Sequence, residues 1–281
     1  MKPFPSTSLP ALAALLLLLS SSADAQGPND LLVAPPRVVF EGSTRSVSVS
    51  LINMGTDTNS YVISMHNYRM TEEGSLVEIA EPDSGQLFAD RIIRYFPRQV
   101  VLAPREEQTL RIQLVAGNDV PDGEYRSHVY LRAIPRARLA ETLVDTSTAT
   151  GISMKITPVY GIIVPIIVRR GEVTVAVDIP AIKLEEAAEG RPVLNIQLKR
   201  WGTASTYGDL AVVYHPATGE PVQVGRVNGI AVYPPAPVRM LRVPLNLPAG
   251  LQLRGGKISV EYRSRATHRE STLARGELPL P

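Results

Sequence analysis

The chain has 281 residues, of which 44% are hydrophobic, and its charges nearly cancel at a net +2. This composition argues against a largely disordered chain, and the length suits one large domain or two of ordinary size. The positive residues are scattered among acids and form no basic stripe, so we predict no nucleic-acid partner.

The first 25 residues follow the order of a secretory signal peptide. Lys2 precedes an apolar run over 11–19, and Ala23-Asp24-Ala25 is a small-x-small cleavage site. The run is too short for a comfortable membrane span. The sequence therefore predicts cleavage after Ala25 and export to the periplasm, with no membrane span in the mature chain. An uncleaved anchor is the alternative.

The first half of the mature chain shows period-two alternation rather than helical periodicity. The pattern predicts strands over 46–51, 61–65, 109–114 and 129–131, separated by turns that contain Gly or Pro. One set of alternating residues in these strands would face a core, and it includes Val47, Val49, Leu51, Leu110, Ile112 and Leu114. Cysteine is absent, so core burial rather than disulfides has to hold the fold together.

The stretch 151–168 alternates apolar residues over far more than the usual strand length of about five or six residues. An overhanging strand with an apolar row is an aggregation risk unless something covers it. Another protein could cover it by adding a strand to its edge. Two ordinary buried strands, joined at Pro158 or Gly161, would explain the same pattern, and the residues alone leave both interpretations open.

The second half repeats the β pattern. It predicts seven strands, over 173–177, 193–198, 210–214, 222–227, 239–245, 257–262 and 273–278, with a short helix or solvated connection over 181–189. The longest apolar run stops at Arg169-Arg170-Gly171. We therefore predict an all-β chain of two tandem β-sandwich domains, 26–170 and 171–281, after a cleaved signal peptide over 1–25.

No catalytic motif is found in the sequence. The four histidines are widely separated and have no metal-ligand spacing, and there is no GxSxG elbow, P-loop or GxGxxG. The sequence predicts a binding protein without cofactor, metal or catalytic residues. Residues distant in the chain can still assemble a site, so an exported hydrolase stays open as one interpretation.

Four segments in the N-terminal half resemble a known family in order and spacing. They are 36–42 with 47–49, 100–104 with 108–112, 122–126 with 131–135, and 166–169. Together they resemble the PapD-type periplasmic pilus-assembly chaperones over about residues 37–170. The C-terminal half is similar only in architecture.

The resemblance implies two immunoglobulin-like β-sandwich domains and donor-strand complementation. In that mechanism a chaperone lends an edge strand to a pilus subunit, its client, which lacks its final strand. Here Met154, Ile156, Tyr160 and Ile162 occupy the matching apolar row. Pro158 departs from the pattern because it removes one ladder donor from the proposed strand.

The resemblance also implies an anchor for the client's terminal carboxylate in the cleft between the domains, formed by an Arg and a Lys. Arg37 falls on the Arg position, and a guanidinium can hold a carboxylate by two parallel hydrogen bonds. The Lys position falls on Pro165, which offers neither charge nor N–H.

The resemblance further implies a secreted pilus-like or other β-rich subunit as partner, with an outer-membrane usher as a second partner and self-pairing through the edge strand as a further expectation. A structural or adhesive two-domain surface protein without chaperone activity is the alternative.

Overall fold

A computed structural model describes residues 30–115, 120–135, 159–186, 190–265 and 271–281. Within these ranges the regular structure is almost entirely β. Its strands, in chain order, are β1 (Leu31–Ala34), β2 (Val38–Phe40), β3 (Ser46–Asn53), β4 (Asn59–His66), β5 (Tyr68–Met70), β6 (Leu76–Glu78), β7 (Ile93–Phe96), β8 (Gln99–Leu102), β9 (Glu107–Leu114), β10 (Gly123–Ala133), β11 (Gly161–Arg170), β12 (Val175–Glu186), β13 (Pro192–Gly202), β14 (Thr206–His215), β15 (Val222–Val232), β16 (Val238–Pro244), β17 (Lys257–Ser264) and β18 (Thr272–Pro279). Among the described residues, none forms a helix with the length and hydropathy that crossing a membrane requires.

The first sandwich packs a four-stranded sheet, ordered β1-β3-β9-β7, against a five-stranded sheet, ordered β2-β11-β10-β4-β8. The predicted alternation is confirmed: Val49 and Leu51 of β3 are buried in the core with Leu110 and Ile112 of β9. Val47 and Leu114 pack against the same core from its margin.

The second sandwich packs a three-stranded sheet, ordered β12-β13-β16, against a four-stranded sheet, ordered β15-β14-β17-β18. Its core includes Leu194, Leu210 and Val260, and each of the seven predicted strands overlaps an observed one. The chain is therefore an all-β protein of two immunoglobulin-like sandwiches, as expected. The strands of the first pair of sheets end at Arg170 and those of the second begin at Val175. The domain boundary after Arg170 stays a prediction.

The prediction of a short helix or solvated connection over 181–189 was wrong where the structure describes this segment. Strand β12 continues to Glu186, and its residues from Ala181 onward pair with β13 from Gln197 back to Pro192. Ile182 and Leu184 alternate toward the second core and pack against it, so tertiary burial favours the strand over the local helical preference of the alanines and glutamates. Residues 187–189 lie outside the described residues.

The two sandwiches are in contact through a hairpin of the first. Strands β5 and β6 pair with each other, and the Met240 N–H of β16 donates to the Glu72 carbonyl in their connecting turn over 2.6 Å. Met70 of β5 and Ile167 of β11 are buried in the core of the second sandwich. The outward face of the five-stranded sheet therefore forms one wall of the junction between the sandwiches.

Candidate functional site

Strand β11 is paired along the whole of one edge but only at the end of the other. β10 pairs with it from Gly161 to Arg170. On the opposite side, β2 runs parallel to it and pairs only with Ile166–Val168. We call the remaining stretch of this side, from Gly161 to Pro165, the outer edge. No described strand pairs with it.

The hydrogen-bond pattern shows which backbone groups point to the outer edge. The Ala133 N–H donates to the Tyr160 carbonyl over 3.0 Å, in register with the β10–β11 ladder. In an antiparallel ladder the residues that bond to the partner strand alternate with residues that face away from it. Gly161 and Ile163 therefore direct their N–H and C=O groups to the outer edge.

Pro165 closes the outer edge without leaving an unpaired donor. Ile166 directs its own backbone groups at β10, so its parallel pairing with Val38 has to be made through its neighbours Pro165 and Ile167. The Pro165 carbonyl thus accepts from the Val38 N–H, and proline has no N–H of its own. At the outer edge, Gly161 and Ile163 each keep one donor and one acceptor.

The side chains of β11 divide between two faces. Val164, Ile166 and Val168 are buried in the first core, and Ile162 packs against it from the margin. By the same alternation, Tyr160 lies on the core-facing side just beyond the strand, where it is exposed. The predicted site residues Met154 and Ile156, together with Pro158, lie outside the described residues, so that part of the apolar row stays a prediction.

Arg37 lies where the outer edge ends. It immediately precedes β2, and the register of Val38 with Ile166 places it level with Pro165. Its Nη1 donates to the Tyr233 hydroxyl over 2.9 Å and its Nη2 to Ser205 Oγ over 3.1 Å. Both partners belong to the second sandwich. The residue that the sequence indicated as a carboxylate ligand therefore lies at the junction of the two sandwiches.

Two charged or titratable residues of β10 share this junction, and the sequence analysis missed both. Arg126 is opposite Ile167, and His128 is opposite Pro165, so their side chains lie on the face that β11 turns toward the second sandwich. Arg126 ends the family-like segment 122–126, and the polar run Arg126-Ser127-His128 within a strand that continues as Val129 was a further sequence feature pointing to both.

Arg126 is a buried cation, 3% exposed, with few partners. Its Nη2 donates to the Tyr68 carbonyl over 2.9 Å, and its guanidinium carbon lies 4.1 Å from the centre of the Tyr233 ring. Its Nε and Nη1 have no hydrogen-bond partner among the described residues. Burial lowers the pKa of Arg126 to about 10, which leaves the group charged at neutral pH.

His128 is also buried, and neither ring nitrogen has a partner in the described part of the chain. Burial, together with the positive charges of Arg126 and Arg37, lowers the pKa of His128 to about 3. The imidazole packs edge-on against Tyr68 at 5.1 Å and Tyr233 at 6.3 Å between ring centres. His128 is therefore neutral at physiological pH and adds no charge to the junction.

A buried carboxylate ties the two sandwiches together. Glu124 Oε2 accepts hydrogen bonds of 2.9 Å from Arg169 Nε, Ser205 N–H and Ser205 Oγ. Arg169 also pairs with Glu41 and donates to the Ser205 carbonyl over 3.0 Å. Burial lowers the pKa of Arg169, but Glu124 and Glu41 outweigh it and raise that pKa above its ordinary value.

The junction carries an excess of positive charge. Four arginines of the described residues lie there, Arg37, Arg126, Arg169 and Arg200. They face two carboxylates, Glu41 and Glu124, and both of those carboxylates bond Arg169. Among the described residues neither Arg37 nor Arg126 forms an ion pair with a carboxylate, so a carboxylate entering the junction could bind both. Within the described residues no cluster of three metal-ligating side chains occurs.

One cluster bears on the hydrolase interpretation. Ser64 Oγ lies 2.7 Å from His66 Nε2, and His66 Nδ1 lies 2.6 Å from Glu78 Oε1. This is the connectivity of a Ser–His–acid triad. However, Ser64 lies within β4, and because the Ile63 N–H bonds the Arg98 carbonyl, Ser64 directs its own N–H at β10. That N–H therefore serves the sheet ladder and is not available to an oxyanion hole.

No protein-family model matches the sequence, and no curated protein matches it. Several solved structures are similar to this chain at low identity. The YadV chaperone is 11% identical, with 89% of this chain and 100% of that chain covered at a TM-score of 0.44. The periplasmic chaperone SfaE is 15% identical, with 89% and 98% covered at a TM-score of 0.41.

A third solved structure is the CsuC–CsuE chaperone–tip adhesion subunit pre-assembly complex from the archaic chaperone–usher Csu pili of Acinetobacter baumannii. The matching chain is 11% identical, with 88% of this chain and 97% of that chain covered at a TM-score of 0.45.

Proposed function

We propose that the protein is an exported periplasmic chaperone that holds a secreted, β-rich client of the pilus-subunit type by lending it the outer edge of β11. One observation supports this proposal above the others. The outer edge, which no described strand pairs with, ends at Arg37. Arg37 is level with Pro165, and β2 pairs with β11 from the next residue onward.

The outer edge suits a client strand that runs in a defined direction. Gly161 and Ile163 offer main-chain donors and acceptors, which give affinity in strand addition. A client strand in line with β2 and parallel to β11, as β2 is, would reach Arg37 with its C-terminal end. A guanidinium and a terminal carboxylate form charge-assisted hydrogen bonds. The edge therefore favours a parallel client strand that ends at Arg37.

The side chains supply the second part of the proposed contact. Val164 and Ile166 are buried in the first core, and Tyr160 and Ile162 extend the same row of side chains toward the N-terminal end of β11. The predicted row continues through Ile156 and Met154, outside the described residues. A client with an open hydrophobic groove would cover these side chains and extend the core across the interface. The periplasmic location rests on the predicted signal peptide, and a partner usher rests on the family resemblance alone.

The proposal is tested by recovering the protein from its native periplasm and identifying what accompanies it. We expect a small, secreted, β-rich subunit to co-purify with the unaltered protein. Arg37→Ala should lower its recovery severalfold. Arg111→Ala is the matched control, because Arg111 is exposed on β9 in the other sheet of the first sandwich, where its Nε reaches Ser46 Oγ at 3.2 Å.

Two results would overturn the proposal. One is that no secreted β-rich subunit accompanies the protein under any condition of recovery. The other is that Arg37→Ala retains as much client as the unaltered protein and the Arg111→Ala control. The alternative of a structural or adhesive protein predicts both results, since such a protein has no need of an edge that ends at Arg37.

A further inference from the structure

We propose that Arg126, on β10, is the second cation of the anion site at Arg37 and shares a client's terminal carboxylate with it. This inference rests on the chaperone function proposed above. It assigns to a neighbouring strand the positive charge that Pro165 of β11 does not supply.

The register of the sheet places Arg126 within reach of Arg37. Arg37 is level with Pro165, which pairs with His128. Arg126 lies two residues before His128 on β10, so the Arg126 and His128 side chains lie on the same face of the sheet. The level residues Pro165 and Arg37 face the same way. The residue beside Pro165 is thus a neutral imidazole, and the nearest permanent positive charge along this face of β10 is Arg126.

Tyr233 sets an upper limit on the separation of the two guanidiniums. Their carbons lie 4.1 Å (Arg126) and 5.4 Å (Arg37) from the centre of its ring. Because both distances are measured from one point, the two carbons cannot be further apart than the sum of these values. A carboxylate has two oxygens and can accept from two guanidiniums at once.

Arg126 does not use all of its hydrogen-bond donors within the described residues. In the part of the chain that the structure describes, its Nε and Nη1 have no hydrogen-bond partner, and Glu124, whose charge acts on Arg126, does not bond them. Glu124 uses Oε2 for Arg169 and Ser205, while its Oε1 is also without a partner among the described residues. Buried charged groups without partners are costly. A carboxylate that reached Arg126 would relieve that cost.

The Tyr233 hydroxyl adds a third contact to the proposed site. It accepts a hydrogen bond from Arg37 Nη1, and no described contact uses its own hydrogen. A phenol can donate and accept at the same time. The hydroxyl can therefore donate to the carboxylate that the two arginines hold, provided that the ring shifts to open the face of Arg126.

The test separates anion binding from client binding. Thermal unfolding is followed in sodium acetate and in sodium chloride at equal ionic strength, so that only the carboxylate differs. We expect acetate to raise the melting temperature of the unaltered protein more than chloride does. Arg126→Gln and Arg37→Gln should each need at least about tenfold more acetate for the same rise, as loss of a charged hydrogen bond implies.

Arg98→Gln is the control for losing an arginine stacked on a tyrosine, since the Arg98 guanidinium lies 3.8 Å from the centre of the Tyr95 ring in the first sandwich. It should respond to acetate like the unaltered protein. Arg126→Lys keeps the positive charge and the aliphatic chain but loses the planar guanidinium that can bind a carboxylate by two hydrogen bonds. It should therefore respond to acetate more weakly than the unaltered protein. If Arg126→Gln does not fold, the acetate response of Arg126→Lys tests the role of Arg126 instead. An unchanged acetate response in either folded Arg126 variant would overturn the proposal.

Recovery of the client distinguishes this inference from the proposed function. If Arg126→Gln binds client as the unaltered protein does while Arg37→Ala does not, the role of Arg126 is wrong and the chaperone function stands. If no client is recovered with the unaltered protein but acetate binding requires Arg126, the anion site stands and the chaperone function falls.

Discussion

Arg37 and Tyr233 are separated by 196 residues of sequence, yet the Arg37 Nη1 donates to the Tyr233 hydroxyl over 2.9 Å. The bond connects the residue just before β2 with the residue just after β15. It places the arginine where the outer edge of β11 meets the second sandwich. The consequences of this arrangement can be measured in client recovery and in stability.

The direction of the backbone groups of β11 can be tested with proline. Ile163 directs its N–H to the outer edge and Ile162 directs its N–H at β10. Ile163→Pro should remove a donor for the client while leaving the β10 ladder intact, as the native Pro165 already does. We expect client recovery to fall at least about tenfold, with a melting temperature close to that of Ile163→Ala.

Ile162→Pro is the contrasting variant, because it removes a bond to β10 and leaves its acceptor unsatisfied, which should destabilise the first sandwich by about 1–3 kcal/mol. Circular dichroism during thermal unfolding measures both variants. The assigned alternation would be wrong if Ile163→Pro proved the more destabilising of the two.

The carboxylate that joins the sandwiches should be important for stability. Glu124→Gln keeps the shape of the side chain but presents a neutral amide to Arg169 and Ser205 in a buried site. Removing one partner of a buried ion pair costs about 3 kcal/mol. We expect urea unfolding to show a loss of this size.

Glu277→Gln serves as the matched control for that measurement. Glu277 pairs with Lys257 over 2.8 Å on the exposed surface, where such pairs contribute little. The control should leave the unfolding midpoint unchanged. Equal midpoints for the two variants would contradict the structural role of Glu124.

The buried imidazole makes stability depend on pH. Unfolded His128 titrates near its ordinary value of 6.5, whereas in the folded protein the pKa of His128 is about 3. Between these values the unfolded chain binds more protons, so the contribution is complete above pH 6.5 and is lost as the pH falls through this window.

His128→Phe removes the titration and keeps ring contacts with Tyr68 and Tyr233. Between pH 7 and pH 5 the unaltered protein should lose about 2 kcal/mol more stability than this variant, at about 1.4 kcal/mol per pH unit. Urea unfolding at the two pH values gives the comparison. Parallel losses in both proteins would show that His128 titrates normally.

The hairpin contact between the sandwiches depends on a glycine. Gly74 has φ +86°, and an added Cβ would lie 2.5 Å from the Arg239 guanidinium. The Arg239 guanidinium also donates to the Ala231 carbonyl. Because displacing it would disturb that bond, Gly74→Ala should cost more than the roughly 1 kcal/mol expected from backbone strain alone. Gly42→Ala isolates the strain, since Gly42 has φ +56° and nothing within 4 Å. Thermal unfolding that ranks Gly42→Ala as the worse variant would refute the contact.

Much of the fold could be predicted from local pattern, because alternation in a strand reports directly which side chains a sheet can bury. Val49, Leu51, Leu110 and Ile112 are buried as the pattern indicated. The exception was the segment from Ala181 to Glu186, where alanines and glutamates favour a helix locally. There the alternating Ile182 and Leu184 reach the second core only in an extended strand.

The sequence alone determined the β-rich composition, the apolar row that leads into β11, and Arg37 as a candidate carboxylate ligand by resemblance. Only the tertiary structure decided that β2 pairs with Ile166–Val168 at the end of β11. It also decided that Arg126 and His128 share a face of the sheet with Arg37. Strand order and register bring together residues far apart in the chain, and no local pattern encodes them. Burial then decides the chemistry: it leaves one of these neighbours, Arg126, charged and under-bonded and the other, His128, neutral.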